Sequence, residues 1–171
     1  MNPLELFHAG DFLSKRAELT PERIALVELE TGERLTYREL NARANRLANW
    51  MRELGVKKGD RVSIIAKNSK VYLDLFYGLP KIGAIFSPFN WRLTANELSY
   101  MIGDCTPTVL LFEEEFNDKV DAMRGEIDVE HLVLLRGRSF VGALDYGPAL
   151  PSAPAKAPSH LRPRAGARDA T

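Results

Sequence analysis

Residues 83–98, GAIFSPFNWRLTANEL, must change conformation twice, and that requirement constrains everything around them. Ala84, Ile85 and Phe86 are an apolar run that reads as a buried strand. Ser87 and Pro88 break it, since proline has no N–H to donate to a sheet ladder. An aromatic-rich loop follows, Phe89-Asn90-Trp91-Arg92, and the chain restarts as a helix at Thr94. Thr94 and Glu97 have the spacing of a capping box, in which hydroxyl and carboxylate each satisfy the other residue's amide. A strand ending in a loop that opens onto a helix is where open α/β sheets bind ligands. Arg92 is therefore the candidate anion contact, because its fork of donors suits phosphate or carboxylate. The plainer alternative is an Arg92 stacked on Trp91 and solvated.

The preceding chain supplies strands and helices in alternation. Residues 4–19 read as a first helix, with Leu6, Phe7, Phe12 and Leu13 roughly on one face. Residues 24–29 and a return starting at Arg34 read as a hairpin turning at Thr31-Gly32. Thr36 and Glu39 form a second capping box. In the helix behind it, Leu40, Ala44, Leu47, Ala48, Met51 and Leu54 make one apolar stripe that must pack on a sheet. Arg38, Asn41, Arg43, Arg46 and Arg52 lie mostly off that stripe and read as a solvated face. Gly55 suits the left-handed residue that ends such a helix.

Residues 61–66 form a strand with the buried centre Val62-Ser63-Ile64-Ile65. Asn68 and Ser69 can cap the following helix, 71–79, which is apolar almost all round and so is expected to be covered on more than one side. Asp74 is its lone acid; proximity to the helix start is the favoured reading, and a position facing the strand ends the other. Gly78 and Pro80 should shorten or kink this helix. After the helix that opens at Thr94, Pro107 precedes a strand at 108–112. Glu113, Glu114 and Glu115 begin an expected acidic surface helix running to about Arg124, and residues 131–135 form a last strand. His131 has no second ligand at metal spacing and reads as structural.

A chain of 171 residues bounds this to one domain with a possible tail. The net charge is zero, with a slight acidic excess up to residue 137, which argues against nucleic acid as a partner. One cysteine, Cys105, excludes an internal disulfide and a multi-cysteine zinc site and fits a reducing, cytoplasmic setting. Without a basic neighbour it reads as an inert buried thiol. No signal peptide is evident, and the longest uncharged apolar stretch, 82–91, is too short to cross a bilayer. From Ser139 the character changes. Residues 151–171 are rich in Pro, Ala and Arg with no aromatic or β-branched aliphatic side chain, so 138–171 is expected to be a disordered tail after a 1–137 domain. Two origins compete for it: a flexible tail, or coding sequence read out of frame.

The element order predicts an α/β sheet with helices on both faces. Particular residues go further. Leu35-Thr36-Tyr37-Arg38-Glu39-Leu40-Asn41, Ala44-Asn45-Arg46-Leu47-Ala48, Gly59-Asp60-Arg61-Val62, Lys81-Ile82-Gly83-Ala84, Asn90-Trp91-Arg92-Leu93-Thr94 and Glu97-Leu98, in that order, resemble the N-terminal segment of the AMP-forming acyl-CoA synthetases of the adenylate-forming superfamily, over roughly residues 5–135. The resemblance implies Mg-ATP activation of a carboxylic acid, fatty or aromatic, to an acyl-adenylate, then transfer to coenzyme A. It aligns Arg92 with an arginine that contacts a coenzyme A phosphate in some members. Gly78 and Pro80 depart mildly from the family's more regular helix.

The Ser/Thr/Gly-rich phosphate loop of the family, T-S-G-T-T-G-x-P-K, does not occur in the sequence, nor do the other adenylate-site motifs or the catalytic lysine. The expectation is an incomplete N-terminal subdomain of an acid–CoA ligase, inactive and without cofactor by itself. Its partner would be the missing remainder, and alone it should tend to aggregate or self-associate. The alternatives are a non-catalytic regulatory module or one half of a split synthetase, and an unrelated small α/β binding domain.

Overall fold

A computed structural model describes residues 9–29, 31–137 and 139–158. Residues 4–8 of the expected opening helix, with Leu6 and Phe7, and 159–171 of the tail lie outside that range.

Helix α1 (Ala9–Leu19) leads into a two-stranded antiparallel hairpin, β1 (Ile24–Val27) with β2 (Arg34–Thr36). The Thr36 capping box is formed: its side chain accepts from the Glu39 amide, and the Glu39 carboxylate takes the Thr36 amide at 2.8 Å. It opens α2 (Tyr37–Glu53), which ends at Gly55 with φ +87, a value open to glycine. Strand β3 (Arg61–Ile65), α3 (Lys70–Gly78) and β4 (Ile85–Pro88) follow. Helix α3 does end at Gly78, and with Pro80 in its first turn the chain tightens into a 3-10 turn at Leu79–Ile82, which it leaves through Gly83 at φ +73. Then come α4 (Ala95–Cys105), capped by Thr94 and Glu97 as expected, β5 (Val109–Phe112), α5 (Asn117–Met123) and β6 (His131–Leu134).

The chain does not stop folding at 137. β7 (Ala143–Asp145) adds a fifth strand beside β6, and α6 (Tyr146–Ser152) packs on α2. Tyr146, Leu150 and Ala153 enter the core. The compositional change at Ser139 is thus no boundary of the fold. Four buried side chains, Tyr146, Leu150, Ala153 and Pro158, anchor a segment whose remaining residues, Phe140, Val141 and Leu144 apart, are small, polar or proline, and composition averages them away.

The main sheet has the order β4-β3-β5-β6-β7, all parallel. Val62 pairs with Phe86 on one side and Val109 on the other. Parallel strands are covered on both faces, and β5 is buried at every position. One face carries α2, α3 and α6, packed on Val62, Ile64, Val109, Leu111 and Val133. The other carries α4 and α5, packed on Ile65, Leu110, Phe112 and Leu134.

Helix α3 is covered on more than one side, as expected: Val71, Tyr72 and Leu75 join the main core, Leu73 and Tyr77 pack on Leu13, Leu40 and Ala44, and Phe76 stays 52% exposed. One local expectation needs correction. The glutamates at 113–115 do not begin a surface helix. Glu113 is extended and Glu114 and Glu115 sit in a 3-10 turn, so the acids lie in the loop that leaves β5.

Candidate functional site

The chain leaves β3 through α3 to β4 on one side, then returns to β5 on the other. The connection after β3 climbs onto the α2 face, and that after β5 onto the opposite face. Diverging loops open a crevice at the carboxyl ends of the strands, the place where open α/β sheets take ligands. A cleft of about 690 Å³ lies there, lined by residues 67–70 after β3, 113–115 after β5, and Arg136 and Gly137 after β6, with 26–29 of the hairpin as its far wall.

Its cations and acids are matched. The Lys67 ammonium donates to Glu115 at 2.7 Å, and the Lys67 amide to Glu113 at 3.0 Å. Lys70 bridges Glu33 and Glu28, the latter at 3.7 Å, while Arg136 lies 4.0 Å from Glu28. The Thr31 hydroxyl, foremost, and then Lys70 and Arg136 hold the Glu28 carboxyl below its ordinary range. Gly137 has φ +119, and a Cβ there would stand 2.4 Å from the Glu114 carboxylate, so glycine lets these two lining residues approach each other. Among the described residues no group of three or more His, Cys, Asp or Glu could hold a metal. Lys67, Lys70 and Arg136 each stand beside a carboxylate.

The 83–98 stretch sits beside this cleft. Arg92 is exposed, its guanidinium 4.0 Å from the centre of the Trp91 ring and its amide bonded to Asn90 Oδ1 at 3.1 Å. That is the stacked, solvated arrangement. Lys67 lies 5.5 Å from the same ring and so joins Trp91 to the cleft wall. Trp91 and Leu93 carbonyls in turn accept from Lys119 at 2.8 and 2.7 Å, which fixes the loop. Cys105 is half-buried with Ser63 Oγ 3.9 Å from its sulfur, and His131 Nε2 sits 2.9 Å from the Leu54 carbonyl.

The model of one protein family, described as AMP-binding enzyme, matches residues 13–164. The chain belongs to the AMP-binding enzyme family. It is 37% identical over 150 residues to the long-chain-fatty-acid–CoA ligase FadD13 of Mycobacterium tuberculosis, covering 88% of this chain and 29% of the ligase. A long-chain-fatty-acid–CoA ligase of Thermus thermophilus is 36% identical over 149 residues, covering 85% and 28%. In structure it resembles the inhibitor-bound N-terminal domain of FACL13 from Mycobacterium tuberculosis, with TM-score 0.78, 34% identity and coverage of 88% and 37%. The anthranilate CoA ligase AuaEII gives TM-score 0.82 at 26% identity, covering 88% and 29%. The chain thus spans under a third of the length of the full ligases it matches.

As a member of the AMP-binding enzyme family, the chain carries features that sequence reasoning missed. The largest is a buried triad. Asp74, fully buried, accepts from Arg43 Nε at 2.9 Å and Nη2 at 2.5 Å, and from the Tyr146 hydroxyl at 2.7 Å. Asp74 therefore faces neither the strand ends nor the helix dipole, and Arg43 does not lie on a solvated face. Burial raises the Asp74 carboxyl despite Arg43 and Tyr146, and burial beside Asp74 pushes the Tyr146 phenol well above its ordinary value. A lone acid in an apolar helix with an arginine on the preceding one was the available signal. The third member lay in the supposed tail. Lys81, also buried, donates to Ser14 Oγ at 2.7 Å and Asn41 Oδ1 at 3.1 Å, tying α1 and α2 to the 3-10 turn.

Proposed function

We propose that this chain forms the N-terminal scaffold of an acid–CoA ligase. The complete ligase uses Mg-ATP to convert a fatty or aromatic acid to its acyl-adenylate and then to the coenzyme A thioester. The reading rests chiefly on the 37% identity that extends over 88% of this chain yet only 29% of a long-chain-fatty-acid–CoA ligase. It is supported by the cleft, whose lysines and arginine are already paired and leave no cradle for a triphosphate. The chain alone therefore activates no acid; its partner is the polypeptide carrying the rest of the ligase, and its setting is the cytoplasm, where ATP and coenzyme A are found. Arg92 contributes one contact to a coenzyme A phosphate in the assembled ligase, for which its exposed guanidinium keeps donors available beyond the Trp91 stack.

The test is pyrophosphate release with ATP, magnesium, coenzyme A and a panel of fatty and aromatic acids. The chain alone should stay at background, and activity should appear when a polypeptide spanning the remainder of a ligase is co-expressed with it. Turnover by the chain alone refutes the reading. In an active assembly, Arg92→Ala should raise the KM for coenzyme A and leave that for ATP unchanged.

A further inference from the structure

The segment following α6 runs across α2 with its side chains turned outward: residues 154–157 are all exposed, between buried Ala153 and buried Pro158. Its backbone is nevertheless held. Asn45 Nδ2 donates to the Ala155 carbonyl at 2.9 Å, and Asn49 Nδ2 donates to the Pro154 and Lys156 carbonyls at 2.7 and 2.9 Å. Asn45 and Asn49 are one helical turn apart, so both amides rise from one face of α2. Pro154 and Pro158 bias the segment toward an extended form that makes no internal hydrogen bonds and leaves its carbonyls open to outside donors. Three consecutive carbonyls are thus taken by two side-chain amides, with no strap side chain involved.

Asn45 pays no evident dividend to the core. It is only 5% exposed, and its Oδ1 has no hydrogen-bond partner among the described residues. A buried amide with an unmet acceptor is destabilising, so stability alone would favour an apolar side chain at this position. We infer that Asn45 and Asn49 are positioning residues that clamp the backbone of 154–156. They fix the direction in which the chain leaves α6, whatever side chains that segment carries. The clamp opens locally, without unfolding of the sheet.

Lys156 supplies the reporter, because its carbonyl is both an acceptor of Asn49 and the bond that a lysine-specific endoproteinase must attack. No lysine follows it in the sequence, so cleavage there releases one defined peptide, residues 157–171. The full-length chain and its variants would be digested and each rate divided by that of a free peptide of the same sequence. Asn49→Ala should speed cleavage at Lys156 by about tenfold or more, as expected for losing two hydrogen bonds, with the thermal melt of the core unchanged. Asn45→Leu should also speed cleavage while the melting temperature stays level or rises. Ala155→Ser with Ala157→Ser should leave the normalised rate as it is. Cleavage that does not change in the asparagine variants, or that rises only in step with global unfolding, overturns the inference, as does a faster rate in the serine variant.

Discussion

Replacing Tyr146 with phenylalanine removes one hydroxyl and leaves the ring, with its edge contact to Trp50 at 5.8 Å, in place. What is lost is a 2.7 Å donor to a carboxylate that has no access to water. Asp74 keeps its two bonds from Arg43 but loses the third, and no solvent can replace it. A hydrogen bond to a charged group contributes about 1.5–3 kcal/mol, so the variant should be destabilised by roughly that amount at neutral pH. For a urea slope of about 2 kcal/mol per molar, the unfolding midpoint should fall by about 1 M. The loss has a pH signature. Burial raises the folded pKa of Asp74 above its value of 3.8 in the unfolded chain, so its ionisation draws on stability as pH rises through the folded value. The hydroxyl offsets part of that loss by favouring the ionised form. The difference between wild type and Tyr146→Phe should therefore be largest above the folded pKa and shrink as Asp74 is protonated. Urea melts across the acid and neutral range, with Asp74→Asn and the double variant completing a cycle, measure it. A neutral-pH loss under about 0.5 kcal/mol, the ordinary spread of surface substitutions, would refute the reasoning and detach α6 from the energetic core.

The remaining predictions concern other parts of the scaffold. Glu39 and Glu97, each bonded foremost by the amide of its own capping threonine, have carboxyls lowered from 4.5; their contribution is present above that value and lost as pH falls through the folded pKa, so Glu39→Gln with Glu97→Gln should flatten the acid limb of the stability–pH curve followed by circular dichroism. Gly78→Ala would place a Cβ 2.8 Å from the Ala44 carbonyl oxygen and from Leu47, pushing α2 and α3 apart at a cost of about 1–3 kcal/mol in a denaturant melt. Ile85 is 49% exposed on β4, which ends the sheet, with Phe76 on neighbouring α3 also exposed; the chain should self-associate with concentration in sedimentation velocity, and Ile85→Lys should reduce it.

How much of this was legible in the sequence depends on how local the signal is. The capping boxes at Thr36 and Thr94 and the Gly55 stop involve neighbours within a turn, and all three are formed where the spacing puts them. The buried centre of β3 and the run of β5 are apolar at consecutive positions, which marks strands covered on both faces. Long-range pairing left no such mark. Asp74 meets Tyr146 across 72 positions and Arg43 across 31, so a lone acid read by itself was assigned to a helix end. The cleft depends on β5 returning to the far side of β3, and strand order is not written in periodicity. The loop holding Arg92 was therefore recognised while the crevice beside it was not. The glutamates at 113–115 read as a helix start because acids favour one, but the chain needs one more turn to leave the sheet before α5 begins. Residues 139–158 were misjudged for a related reason: few side chains anchor them, and those anchors lie far away in sequence.

The proposed function requires that the framework of a carboxylate-activating ligase, by itself, have no grip on the nucleotide. Isothermal titration of the purified chain with Mg-ATP addresses it directly. No saturable heat should appear at any concentration reached, with Lys67, Lys70 and Arg136 staying in their pairs with Glu115, Glu33 and Glu28. Saturable binding in the micromolar range, weakened by Lys67→Ala or Lys70→Ala, would contradict it.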